Sequence, residues 1–152
     1  MPMNAARPFK RALDRLTRAG LRPTRQRLAL ARLLFDGPDR HITAEMLHAE
    51  ATEAAMRVSL ATVYNTLHQF TTAGLLREVV VEAGRSYFDT NTTDHHHFFY
   101  LNSGRLTDIP AEAMVVAAIP APPCGARIAR VDVIVRLAEE PSLAGAGVPT
   151  AT

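Results

Sequence analysis

Ser59-Leu60-Ala61-Thr62-Val63-Tyr64-Asn65-Thr66-Leu67-His68-Gln69-Phe70, with the change of period just beyond it, decides the architecture of this chain. Ser59 can accept a hydrogen bond from an N–H of a first helical turn. Leu60, Val63, Leu67 and Phe70 recur at helical spacing and predict a helix over 60–73, with these four inward. Gly74 supplies a stop. Ala61, Thr62, Tyr64, Asn65 and His68 are left on more exposed faces. After Gly74 the period shortens, and 75–81 and 85–89 read as two strands joined around Gly84.

Working back from that helix, Thr43 caps another that runs to about 55, with Ile42 before the cap and Leu47 after it as a hydrophobic staple. His41 lies in the loop ahead of it. Thr24 caps a helix over 25–35 with Leu28, Ala31, Leu34 and Phe35 inward, and Asp36-Gly37-Pro38 ends it. A first helix is expected over about 8–19. Pro8 suits its first turn, Gly20 its stop, and Phe9, Leu13 and Leu16 form its apolar stripe. Four helices followed by a hairpin outline a winged helix-turn-helix. The third and fourth helices form the reading unit, and the fourth is the recognition helix.

Downstream, Thr90-Asn91-Thr92-Thr93 reads as a linker. A second unit follows: a strand over 95–101, a turn at Asn102-Ser103-Gly104, a strand over 105–109, a helix over 111–119, a Pro-rich loop and a strand over 128–137. In that last strand Val131, Val133, Val135 and Leu137 alternate with Arg130, Asp132, Ile134 and Arg136. A unit this small gains its core by dimerising. The expected fold is α+β: a winged-helix DNA-binding domain over 1–89, a hinge over 90–94, a small α/β dimerisation and ligand-sensing domain over 95–140, and a disordered tail over 141–152.

Composition narrows the class. At 152 residues, 47% hydrophobic and 21% charged, the chain is globular. No apolar run is long enough for a bilayer and no secretory leader is recognisable, so no membrane partner and a cytoplasmic location are expected. The net charge of +2 conceals a division: residues 1–40 carry +7 and the remainder −5. A basic first part points to a polyanion partner. The single cysteine, Cys124, excludes an internal disulfide and any CxxC site.

Two constellations carry chemistry. Arg22, Arg25 and Arg27 stand where a winged helix touches the DNA backbone. Thr62, Tyr64 and Asn65 stand on the recognition helix, where Tyr can meet a thymine methyl and Asn can pair with adenine. Arg77 and Arg85 are expected on the wing. Separately, His95-His96-His97 opens a strand, so His95 and His97 share one face and His96 takes the other. Asp89 and His41 can bring the donors to four, an N₃O set that suits Zn²⁺, Fe²⁺ or Mn²⁺. An enzyme is not expected: the chain has no nucleophile constellation, no His-Glu-x-x-His segment and no convincing general base.

Gly20-Leu21-Arg22-Pro23-Thr24-Arg25-Gln26-Arg27, His41-Ile42-Thr43-Ala44-Glu45 and Leu60-Ala61-Thr62-Val63-Tyr64-Asn65-Thr66-Leu67 together resemble the ferric uptake regulator family, over roughly residues 10–137. Asp94-His95-His96-His97-Phe98-Phe99 and Ile128-Ala129-Arg130-Val131-Asp132 are most similar to its iron response regulator branch. The resemblance implies a homodimeric repressor of iron- and heme-related genes, bound to a double-stranded operator. It implies a regulatory metal site between the domains at His41, Asp89, His95 and His97. It also implies heme at His95, His96 and His97, with loss of DNA binding; the alternative is a repressor activated by Fe²⁺, Mn²⁺ or Zn²⁺ without heme. A second family site would use Asp94, His96 and Glu112, but Val131 stands where a His is usual. Many members have Arg where Asn65 stands, which implies a different operator. The structural zinc held by two CxxC pairs cannot form, with Ser103 at one of the cysteine positions. The heme-regulatory Cys-Pro dipeptide is missing too, since Cys124 precedes Gly125.

Overall fold

A computed structural model describes residues 9–140 of the chain. The expectations for Pro8 and for a disordered tail over 141–152 lie outside the described residues. The chain divides into two compact units, one up to Thr93 and one from Asp94.

The first unit is α1 (Lys10–Arg18), α2 (Arg25–Phe35), β1 (His41–Ile42), α3 (Ala44–Glu53), α4 (Leu60–Thr72), β2 (Arg77–Glu82) and β3 (Arg85–Asp89). The three anticipated caps form. Thr24 Oγ1 accepts from the Arg27 N–H, Thr43 Oγ1 from Met46 and Ser59 Oγ from Thr62, at 3.2, 3.1 and 3.1 Å. Each contributes about 1 kcal/mol by satisfying an N–H that the helix leaves orphaned. At the other end of α4, Gly74 adopts φ 82°, which lets the Leu75 N–H reach the Phe70 carbonyl at 2.9 Å. The same closing turn after α3 is made without glycine: Ala55 takes φ 58° and the Met56 N–H reaches the Ala51 carbonyl.

Leu16, Leu30, Leu34, Leu47, Val63, Leu67, Phe70 and Phe88 fill the core between these elements. Leu60, expected inward, is exposed, because it opens the first turn of α4 ahead of the packed stripe. The hairpin β2–β3 is joined by β1 into a sheet of order β1-β3-β2. β1 occupies what the sequence reads as loop: His41 pairs with Asp89 and Ile42 with Phe88, antiparallel. Ile42 and Leu47 are both fully buried, as a staple requires.

The second unit holds β4 (His96–Tyr100), β5 (Leu106–Ile109), a 3-10 turn (Ala111–Ala113) and β6 (Ile134–Leu137). β4 is central, antiparallel to β5 and parallel to β6. Two expectations are corrected. The helix over 111–119 is only that 3-10 turn, ended by an extended Met114. Helices this short are marginal without a packing surface, and Val115 and Ile119 are 83% and 46% exposed. The strand over 128–137 contracts to its last four residues. Cys124 is exposed. Among the described residues no helix is long and apolar enough to cross a membrane.

Candidate metal centre and nucleic-acid interface

The histidines and carboxylates singled out by the sequence fall into two sets, one in each unit. In the first, the β1–β3 register puts His41 directly opposite Asp89. His41 Nε2 lies 3.0 Å from Asp89 Oδ2, and Asp89 is fully buried. In the second, His95 and His97 lie on one face of the β4 segment and His96 on the other, as strand parity requires. Their Nε2 atoms converge on one oxygen of Asp108, at 3.1 and 3.4 Å, with ring centroids 4.5 Å apart. Both imidazoles are buried.

Asp108 was not among the sequence candidates. It is brought in by β5, whose register pairs it with His97. The turn at Asn102-Ser103-Gly104 held the signal: counting outward from it along both strands makes His97 and Asp108 opposite numbers.

The geometry fits a divalent cation. Donors bound tetrahedrally at about 2.1 Å sit about 3.4 Å from one another, and the His–carboxylate separations, 3.0 Å in the first set and 3.1 and 3.4 Å in the second, lie within a few tenths of an ångström of that value. One ligand atom from each of His95, His97 and Asp108 lies within 4.8 Å of the other two. Bound to an ion, neutral imidazoles and carboxylates exchange their mutual hydrogen bonds for coordination.

His96 is engaged differently. Its Nδ1 accepts the Val133 N–H at 3.1 Å. A neutral ring whose Nδ1 lone pair is used in this way carries its proton on Nε2, so neither nitrogen offers a lone pair to a metal. With Asp94, Ala111, Val116, Ala129, Arg130 and Val131 it lines a cleft of about 300 Å³. A guanidinium in that lining disfavours a cation, and Val131 offers no donor. Of the aromatic residues after the cluster, Phe98 is half-buried and the other two are engaged. Phe99 is buried with the Arg136 guanidinium 5.6 Å from its ring centroid, and Arg105 lies 4.3 Å over Tyr100.

On the first unit, Tyr64 and Asn65 project from α4 and are exposed, and Arg22 and Arg25 are exposed at the entry to α2. Tyr64 donates to Glu45 Oε1 at 2.6 Å. That bond holds the Glu45 carboxyl below its ordinary range and raises the Tyr64 phenol above its own. His68 stacks beside Tyr64 and meets Phe88 edge-on. Glu45, Tyr64, His68 and the wing residue Arg85 share a cleft of about 440 Å³.

Three other candidates have structural duties. Thr62 is half-buried, with its hydroxyl 2.9 Å from the capping Ser59 hydroxyl. Arg27 braces α2 against α4, donating to the Arg22 carbonyl and to Gln69 Oε1. Arg77, expected on the wing, is corrected: it is 8% exposed and donates to the Thr93 carbonyl at 2.9 Å. Strand parity is the reason. Arg77 shares the buried face of β2 with Val79 and Val81, and Val80 points out.

Comparison with known proteins gives consistent matches. A sequence profile described as the ferric uptake regulator family matches residues 18–118. The peroxide operon regulator of Bacillus subtilis is 36% identical over 104 residues, covering 68% of this chain and 71% of its own length. The ferric uptake regulation protein of Escherichia coli (strain K12) is 31% identical over 100 residues, 65% of this chain and 68% of its own. Among solved structures, the ferric uptake regulator from Pseudomonas aeruginosa with manganese superposes with a TM-score of 0.64 at 22% identity, covering 86% of this chain and 98% of that one. That likeness bears on the fold.

Proposed function

Because the chain belongs to the ferric uptake regulator family, we propose that it is a dimeric, operator-binding transcriptional repressor of iron-supply genes, switched by one divalent cation. The cation's ligands are His41 and Asp89 of the first unit and His95, His97 and Asp108 of the second. The observation that carries this reading is the convergence of His95 and His97 on one Asp108 oxygen at metal-ligand spacing. His41 and Asp89 have the same spacing but offer only one nitrogen and one carboxylate, too few to hold an ion alone. Three imidazoles and two carboxylates suit Fe²⁺, Mn²⁺ or Zn²⁺.

Tyr64 and Asn65 read base edges, Arg22 and Arg25 hold phosphates, and Arg85 follows the backbone from the wing. The excess positive charge of residues 1–40 supports duplex DNA as the partner. The second unit supports a second copy of the chain, since Leu101, Val115, Ile119 and Ile128 are all at least 46% exposed.

Heme release of DNA, implied by the resemblance to the iron response regulator branch, fits these residues poorly. The His96 Nδ1 lone pair is taken by the Val133 N–H, His95 and His97 are turned to Asp108, and the rings of Phe99 and Tyr100 each carry a guanidinium. The test is a DNA-binding titration of the purified protein with Mn²⁺ and, separately, with hemin. Tighter binding with Mn²⁺ and no release by hemin is expected; release by hemin with no gain from Mn²⁺ would overturn the reading.

A further inference from the structure

The segment 90–93, which the sequence presents as a plain linker, is tied down by hydrogen bonds at Thr90, Asn91 and Thr93. Thr90 exchanges bonds with Arg40: its N–H donates to the Arg40 carbonyl at 3.1 Å, and its hydroxyl accepts the Arg40 N–H at 2.8 Å. The same hydroxyl donates to Asp39 Oδ1 at 3.2 Å. The Asn91 N–H donates to Asp89 Oδ1 at 2.9 Å. Asn91 Oδ1 in turn accepts both the N–H and the hydroxyl of Thr93, at 3.1 and 2.6 Å. The Thr93 carbonyl receives Arg77 Nη1 at 2.9 Å. Arg77 is itself the register partner of Asp89 across β2–β3, so His41, Asp89 and Arg77 form one row across the sheet.

Asp89 therefore has two tasks on two oxygens. Oδ2 faces His41, and Oδ1 opens the hydrogen-bonded turn through which the chain leaves the first unit. Two successive Asx-type turns, closed at the far end by a buried guanidinium, set the exit direction. From this juxtaposition we infer that Asn91 and Arg77 are positioning residues. They convert the state of the Asp89 carboxylate into the direction of the chain at Asp94, and so couple cation binding to operator binding. The inference rests on the cation-switched reading above.

Coupling between two ligands is a measurable factor, identical whichever ligand is varied and commonly about 5–150-fold. The experiment measures three quantities on the full chain: the Mn²⁺ affinity without DNA, the operator affinity without Mn²⁺, and the operator affinity at saturating Mn²⁺. Asn91→Ala removes the acceptor of two bonds and keeps the backbone N–H that Asp89 Oδ1 uses. Arg77→Met removes the closing donor. Both variants are expected to keep the first two quantities within about threefold of the parent while the gain on adding Mn²⁺ falls to less than about threefold. Asn91→Asp and Arg77→Lys, which keep the acceptor and the donor, are expected to restore most of the gain.

Full gain in both Asn91→Ala and Arg77→Met would overturn the inference. So would loss of Mn²⁺ affinity in step with the gain, which is the mark of a merely structural role. If the parent chain shows no gain with Mn²⁺, the cation-switched reading itself fails and takes the coupling with it. A parent that responds, with Asn91→Ala and Arg77→Met both responding equally, overturns the coupling alone.

Discussion

Tyr64, on α4, gives its phenolic hydrogen to Glu45, in the first turn of α3, across 2.6 Å. This bond places a carboxylate on the exposed face of α4 and α3 and restrains the Tyr64 ring. On the proposed reading, a ring held in this way is already ordered when a thymine methyl reaches it, so less conformational entropy is lost on binding. Tyr64→Ala is expected to cost about 1–3 kcal/mol against the preferred operator and much less against random duplex of the same length. Competition binding at one salt concentration measures both. Equal losses would mean that the ring only packs.

The same bond makes a pH-dependent contribution. Glu45 is held below its ordinary value chiefly by the Tyr64 hydrogen bond. Its small share of stability is present above the unfolded carboxyl's pKa and is lost as pH falls through the folded value. Tyr64→Phe is expected to move the Glu45 titration upward, toward 4.5, as followed by carboxyl chemical shifts. The Tyr64 phenol is raised chiefly by the same bond, so its share is present below the unfolded phenol's pKa and is lost as pH rises through the folded value. In Glu45→Gln the phenol is expected to titrate at a lower pH. An unmoved phenol would show that the 2.6 Å contact does not persist in solution.

Ala55 closes α3 in a left-handed conformation, φ 58°, in which a side chain costs about 1–2 kcal/mol. Ala55→Gly removes that strain and returns part of it as extra unfolded-chain entropy. The net expectation is a gain of roughly 0.5–1 kcal/mol, read by urea denaturation. Destabilisation would show that the Ala55 methyl makes a contact worth more than the strain.

The three adjacent histidines are expected to separate by experiment. On the proposed reading, His97→Ala and Asp108→Ala each remove a donor from the cation's ligands and should weaken Mn²⁺ binding by at least about a hundredfold. His96→Ala should leave Mn²⁺ affinity within about threefold, because its Nδ1 serves the Val133 N–H. It should instead lower stability by about 1–2 kcal/mol through the unpaired amide. Calorimetric Mn²⁺ titration with thermal unfolding distinguishes the two patterns. An equal loss of Mn²⁺ affinity in all three variants would reassign His96 as a ligand.

What could be read from the sequence alone follows from how local each signal is. The caps at Thr24, Thr43 and Ser59 need only four neighbouring residues, and all three were legible. The opposite facing of His96 and His97 is strand parity. β1 was not legible: two residues have no period, and the partners of His41 and Ile42 lie far along the chain at Asp89 and Phe88. Asp108 needed a hairpin register rather than a motif. Arg77 looked like a wing cation because charge suggests exposure, yet its parity with Val79 and Val81 buries it. The helix expected over 111–119 had a helical composition but little for a short helix to pack on.

Arg40, which exchanges two bonds with Thr90, also grips both carboxylate oxygens of Glu50 on α3, at 2.8 and 2.7 Å. α3 and the point where the chain leaves the first unit are thus tied through one side chain. On the proposed reading, a displacement at Thr90 is handed to α3 through a charge-assisted fork instead of being lost in a slack linker.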